Sequence, residues 1–176
     1  FSWNSDTQLG NFTLTTASGT VSSEEFIQET GTYTITENAK IGWTLTDLVC
    51  TGGEFQVDGA SVSVSVVKGA NVVCTFTNTR NQGSLRIVKN THGGNGTFNF
   101  TSASTIGNFS LSTVGNTATT STVVVDSGSY TVAETAQPGW TLTSLVCNNN
   151  NYTVNNNSVT VAVATGENVV CTYTNT

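Results

Sequence analysis

Charge is scarce in this chain: Asp, Glu, Lys and Arg together make up 9% of its 176 residues, and only five residues are Lys or Arg. With a net charge of -6 and no basic cluster, nothing in it can follow a phosphate backbone, so nucleic acid is not an expected partner. No apolar run is long enough to cross a bilayer as a helix, and the segment is not expected to insert directly into a membrane. There is no Met, one Pro and one His. The lone histidine, the lack of a Gly-x-Ser-x-Gly element and the lack of facing carboxylate pairs leave no turnover enzyme to propose, and no cofactor is implied.

The polar positions are filled instead by Thr, Ser, Asn and Gly, the β-branched ones favouring strands and the small ones turns. The same material recurs: residues 1–79 align with 98–176 at a constant offset of 97, without a gap and with 35 of the 79 positions identical. Gly42-Trp43-Thr44-Leu45-Thr46 returns as Gly139-Trp140-Thr141-Leu142-Thr143, and Asn71-Val72-Val73-Cys74-Thr75 as Asn168-Val169-Val170-Cys171-Thr172. The domain reading is therefore 1–79, a linker at 80–83, and a complete unit at 84–176.

In the complete unit, β-rich runs between turn signals predict seven strands, near 84–90, 98–112 (bent or interrupted), 121–126, 129–135, 140–147, 151–163 (a hairpin) and 167–175. That spacing predicts an all-β chain of two tandem Ig-like β-sandwich domains. The first unit lacks the stretch corresponding to 84–97 and so lacks its first strand. Either the preceding residues of a longer array supply that strand, or a neighbouring molecule donates it by strand addition. Phe1-Ser2-Trp3 reads as the middle of a strand, which suggests an excerpt or a processed form. The short joint at 79–83 favours units stacked end to end as a semi-rigid rod.

Cys50 and Cys74 are 24 residues apart, as are Cys147 and Cys171. An even count, a repeated register and a small β domain favour the disulfides Cys50–Cys74 and Cys147–Cys171, each clamping a unit's 140–147-type strand to its last. Metal binding is the weaker reading, since there is no Cys-x-x-Cys spacing and His92 sits in a Gly-rich loop. Disulfides in turn imply a secreted, extracellular or cell-surface protein.

Side chains two apart on a strand share a face. Leu85, Ile87 and Lys89 form one stripe; Tyr130, Val132 and Glu134 a second; Val169, Cys171, Tyr173 and Asn175 a third. Each apolar stripe ends in a polar residue. Desolvating a lone Lys or Glu costs several kcal/mol, on the order of 2–7 for a polar group, so a sequence that points both inward must pair or react them. Desolvation makes an amine lose its proton more easily and a carboxylic acid keep its own. A neutral pair of that kind suits attack by Lys89 on the Asn175 side-chain carbonyl, with Glu134 moving protons. Ammonia would leave, an isopeptide bond would remain, and the event would happen once per domain. The competing reading is a plain Lys89–Glu134 ion pair with Asn175 as a turn residue.

These residues carry a resemblance. A Lys in the opening strand, the block from Tyr130 to Trp140 (Tyr-x-Val-x-Glu-x-x-x-Pro-Gly-Trp) and a terminal strand ending in Asn175 resemble the Cna-B-type or prealbumin-like repeats of bacterial surface adhesins and pilins. Leu145-Val146-Cys147 and Val170-Cys171-Thr172 are similar to its disulfide-containing branch. The resemblance spans the whole chain and implies an inverse-Ig sandwich, surface location, tandem use as a stalk, and the Lys/Glu/Asn cross-link. The first unit has the equivalents Glu37 and Asn78 but no Lys in the matching place, and Lys40, in the turn before Trp43, is no substitute.

The expected function is thus a structural repeat segment of a stalk, surface protein or filament, with neighbouring repeats or further copies as partners. The rivals are an adhesin module binding a host, matrix or glycan ligand through sandwich-end loops, and a strand-exchanging filament subunit. Trp43, Trp140, Tyr33 and Tyr130 suit core packing better than a sugar platform. The loops at 91–97 and 148–151 read as solvated turns, lacking what a phosphate or calcium site needs.

Overall fold

The computed structural model of the protein describes residues 1–6, 9–17 and 19–176. The chain divides into two compact units, Phe1–Arg80 and Asn81–Thr176.

Strands of the first unit are β1 (Ser2–Ser5), β2 (Phe12–Thr13), β3 (Gly31–Glu37), β4 (Trp43–Thr51), β5 (Glu54–Asp58), β6 (Ser61–Val66) and β7 (Val73–Arg80). Those of the second are β8 (Gln82–Thr91), β9 (Thr97–Thr101), β10 (Phe109–Ser112), β11 (Thr117–Thr119), β12 (Val123–Asp126) and β13 (Gly128–Glu134), followed by β14 (Leu142–Cys147), β15 (Tyr152–Asn155), β16 (Ser158–Val163) and β17 (Asn168–Asn175).

The second unit has two sheets. One runs β10-β9-β13-β16-β15, and the other β11-β8-β17-β14 with β12 also on β8. Alternation explains both. In β8 the side chains of Leu85, Ile87 and Lys89 are buried while Arg86 is exposed, and in β17 Val169, Cys171, Tyr173 and Asn175 are buried. The apolar faces meet around Leu85, Ile87, Phe98, Phe100, Val132 and Tyr173. Each such side chain, fully buried, contributes about 1.5–3 kcal/mol. The 98–112 run breaks into β9 and β10, and 151–163 is the β15–β16 hairpin. The short β11 is one strand more than the sequence suggested.

The first unit carries the same β1-to-β6 sheet, in the order β2-β1-β3-β6-β5, but its second sheet is only β4-β7. Residues matching β11 and β12, at 20–22 and 26–29, are in no strand. The reason is structural: β11 and β12 pair on β8, and among the described residues of 1–80 no strand takes the place of β8. Local detail is otherwise repeated. Gly42 and Gly139 both take left-handed φ, 81° and 80°, in the turn ahead of the tryptophan, a conformation that favours glycine. Both β4–β7 and β14–β17 carry a register shift, after Leu45 and after Leu142, where Thr46 and Thr143 donate to the carbonyls of Thr77 and Thr174 at 3.1 Å.

Around the joint expected at 80–83, Arg80 belongs to β7 and Gln82 and Gly83 to β8, with Asn81 between the strands. Gly83 must lie close to its surroundings: a Cβ there would stand 2.5 Å from the Ala164 carbonyl oxygen.

Candidate functional site

Three elements bring the site together. β8 and β17 are parallel neighbours with Lys89 opposite Tyr173 and Thr91 opposite Asn175, which sets Lys89 and Asn175 diagonally adjacent on one inner face. Glu134 ends β13 on the facing sheet, opposite Phe100 of β9. The solvent exposures of Lys89, Glu134 and Asn175 are 0%, 4% and 2%.

The Lys89 ammonium donates to Asn175 Oδ1 at 2.6 Å and lies 3.3 Å from Glu134 Oε2. Asn175 Nδ2 donates to the other carboxylate oxygen, Glu134 Oε1, at 2.6 Å. Glu134 therefore touches the amine with one oxygen and the amide nitrogen with the other. Two longer bonds, to the carbonyls of Asn90 and Tyr173 at 3.3 and 3.4 Å, complete the surroundings of Nζ. Burial pushes the Lys89 pKa below its ordinary value, against the charge of Glu134 and the hydrogen bond to it. The Tyr173 hydroxyl, raised by burial and then by the Glu134 charge, stays protonated and donates to the Val132 carbonyl at 2.7 Å, tying the two sheets beside the trio.

Phe98 was not singled out by its sequence. Its ring lies under the Lys89 ammonium, 4.3 Å from Nζ to the centroid, and Trp140 packs edge-on against it at 5.4 Å. The signal was available, because Phe98 and Phe100 share a strand face with the same spacing as the other stripes. Together these rings wall the trio off from water.

In the first unit Asn78 Nδ2 donates to Glu37 Oε1 at 2.8 Å, the same contact as in the second. Glu37 is 5% exposed, and its Oε2 is buried without a hydrogen-bond partner. Lys40 is exposed, with its ammonium 4.5 Å from the centroid of the Phe1 ring, and gives Glu37 Oε2 no hydrogen bond. The disulfides Cys50–Cys74 and Cys147–Cys171 each join paired positions of adjacent antiparallel strands, β4 to β7 and β14 to β17. Trp43 and Trp140 are half-buried and pack on Phe1 and Phe98, while the hydroxyls of Tyr33 and Tyr130 donate to the carbonyls of Glu29 and Asp126. His92 is exposed in its loop, and among the described residues no cluster of His, Cys, Asp and Glu could hold a metal ion.

The fold and the repeated inner-face Glu–Asn contact define an all-β protein of two tandem prealbumin-like, inverse-Ig sandwiches. A family model described as "Prealbumin-like fold domain" matches residues 1–80 and again 85–176, and the chain belongs to that family. Among solved structures it is similar to the major pilin protein of Streptococcus pyogenes, at 15% sequence identity and a TM-score of 0.42, over 86% of this chain and 70% of that one. No curated protein matches it.

Proposed function

We propose that the chain is a structural repeat segment of an extracellular stalk, surface protein or filament, its second unit locked by an isopeptide bond between Lys89 and Asn175. The observation that carries the reading is the Glu134 carboxylate bridging nucleophile and leaving group. Lys89 passes a proton to Glu134, and the freed amine attacks Asn175 Cγ while the C–Nδ2 bond breaks. Glu134 delivers that proton to the departing nitrogen and keeps the second one, which the attacking nitrogen sheds as the amide forms. One C–N bond replaces another and ammonia leaves, with no change of oxidation state. The product has nothing left to turn over. A disulfide in each unit supports an oxidising compartment, and repetition supports neighbouring units as partners.

The test is the intact mass of the reduced, denatured chain, expected to be lower than the sequence mass by about 17 Da, with the loss mapping to a Lys89–Asn175 linked peptide. An unaltered mass would sink the self-cross-linking step.

The ionisation can be read separately in an Asn175→Ala chain, which cannot close the amide. Folded-state Lys89 gives up its proton at lower pH than the 10.5 of the free group, so between those values the unfolded chain holds more protons. Stability of the second unit is therefore expected to rise with pH across that window and to be deficient below it. Denaturant titrations at several pH values would show the slope, and adding Lys89→Met would remove it.

A further inference from the structure

We infer that the outer face of β8 and β17 in the second unit holds a binding site for one acidic sugar residue, a uronic-acid-type ring whose carboxylate pairs with Arg86. The sheet pairings assemble it. Ser84 lies opposite Val124 of β12 on one side and Asn168 of β17 on the other, and Arg86 lies opposite Val170. Alternation along β8 turns Arg86 away from the core that Leu85 and Ile87 enter, and so away from the Lys89 trio. Ser84, Arg86, Thr122, Asn168 and Val170 line a cavity of about 240 Å³ there. Pockets for drug-sized ligands run to about 300–1,000 Å³, so this one admits a single small ring or headgroup.

The polar side chains around this cavity offer donors. Apart from the buried Lys89, Arg86 is the only Lys or Arg in residues 81–176. It is exposed, and its guanidinium makes no hydrogen bond or ion pair among the described residues. The carboxylates of the same unit are engaged elsewhere: Asp126 by Gln82, Glu134 by Lys89, and Glu167 by Asn149 and the Ala164 N–H. Ser84 Oγ, nearly buried, donates to Asn168 Oδ1 at 2.6 Å, which fixes that amide and leaves Nδ2 as its donating end. The exposed Thr122 hydroxyl adds a third donor. A guanidinium, an amide N–H and a hydroxyl around one cavity specify an anion, and the planar fork of Arg matches a carboxylate.

One cation suits one negative charge. A phosphate backbone or a sulfated polysaccharide carries charge on every unit and is held by rows of Lys and Arg, which this chain lacks. Beyond the cavity the outward positions of β8 and β17 are Val88, Asn90, Thr172 and Thr174, with no second charge. Hydroxyls and an amide there suit the hydroxyls of a sugar, and Val170 beside Arg86 gives apolar surface to the C–H face of its ring. An acidic peptide would use the guanidinium but leave this neutral polar surface without matching groups.

The experiment titrates the full chain with glucuronate, glucose, acetate and glutamate, following backbone amide shifts by NMR. Glucuronate is expected to give saturable shifts centred on Arg86, Thr122, Asn168 and Val170, and to bind at least about tenfold more tightly than the other three. Arg86→Gln, an exposed substitution whose spectrum elsewhere reports an intact fold, is expected to weaken glucuronate at least about tenfold, and added salt to weaken it in the unaltered chain. No saturable shifts, shifts centred elsewhere, or undiminished binding by Arg86→Gln would overturn the site. Acetate binding as tightly as glucuronate would overturn the sugar assignment in favour of a general carboxylate site, and glutamate doing so would overturn it in favour of an acidic peptide.

Discussion

Replacing Glu134 by alanine is expected to abolish the mass loss proposed for the second unit and to leave its un-cross-linked fold about 3–5 kcal/mol less stable than with the Lys89–Glu134 pair intact, the usual cost of removing one partner from a buried charge pair. Lys89 is wholly buried, and its ammonium would keep only Asn175 Oδ1, two backbone carbonyls and the face of Phe98. Asn175 Nδ2 would lose its acceptor in the same stroke. Glu134→Gln separates the two roles. It retains an oxygen of similar shape for Asn175 but cannot carry a proton, so the mass stays that of the sequence while the fold suffers less. The Lys89→Met/Glu134→Gln double substitution removes both charges, and buried pairs replaced by neutral groups of similar volume are generally tolerated. Its denaturant midpoint should therefore lie above that of Glu134→Ala although it too lacks the cross-link. A wild-type midpoint and a 17 Da loss in Glu134→Ala, about one ammonia, would show that the carboxylate neither pairs nor shuttles.

The second large effect belongs to the other unit. Removing Cys50–Cys74 with a Cys50→Ser/Cys74→Ser chain is expected to eliminate the cooperative unfolding of residues 1–80, whereas Cys147→Ser/Cys171→Ser should leave a folded but weakened second unit. The two bridges close loops of the same sequence separation, 24, and by chain entropy each contributes about 3 kcal/mol. What differs is the remainder. The first unit's core is centred on Tyr33, Cys50, Val62 and Val64, and β7 is paired on one side only. The second keeps Phe98, Phe100, Val132 and Tyr173 between two complete sheets. Hydrogen exchange resolved by unit would distinguish the cases, and equal losses in the two units would contradict the comparison.

Strand alternation made much of this readable in advance. Placing Lys89, Glu134 and Asn175 at the ends of apolar stripes needs only the two-residue period, and the 97-residue offset sets Glu37 and Asn78 beside Glu134 and Asn175. What alternation cannot supply is which stripe lies against which. The parallel pairing of β8 with β17 joins residues more than eighty positions apart and leaves no local trace. Strand β11 was hidden for a related reason: three residues, Thr117-Ala118-Thr119, are extended because β8 is there to receive them. Gln82 and Gly83 show the converse, since they look like turn residues and are held in a strand by β12. Phe98 was legible as a core residue but not as the floor under an ammonium, because that role depends on the facing sheet.

The parallel pairing of β8 and β17 also determines how the second unit would carry tension. The chain enters at the start of β8 and leaves at the end of β17, so pulling its ends apart shears the whole ladder from Ser84–Asn168 to Thr91–Asn175 at once instead of unzipping it bond by bond. With the proposed amide in place, the load path is shorter still. Force would run along β8 to Lys89, cross to Asn175 and exit at Thr176. The polypeptide between Lys89 and Asn175, which would otherwise lengthen the unit by about 3.3 Å per residue as it unravelled, would bear none of it.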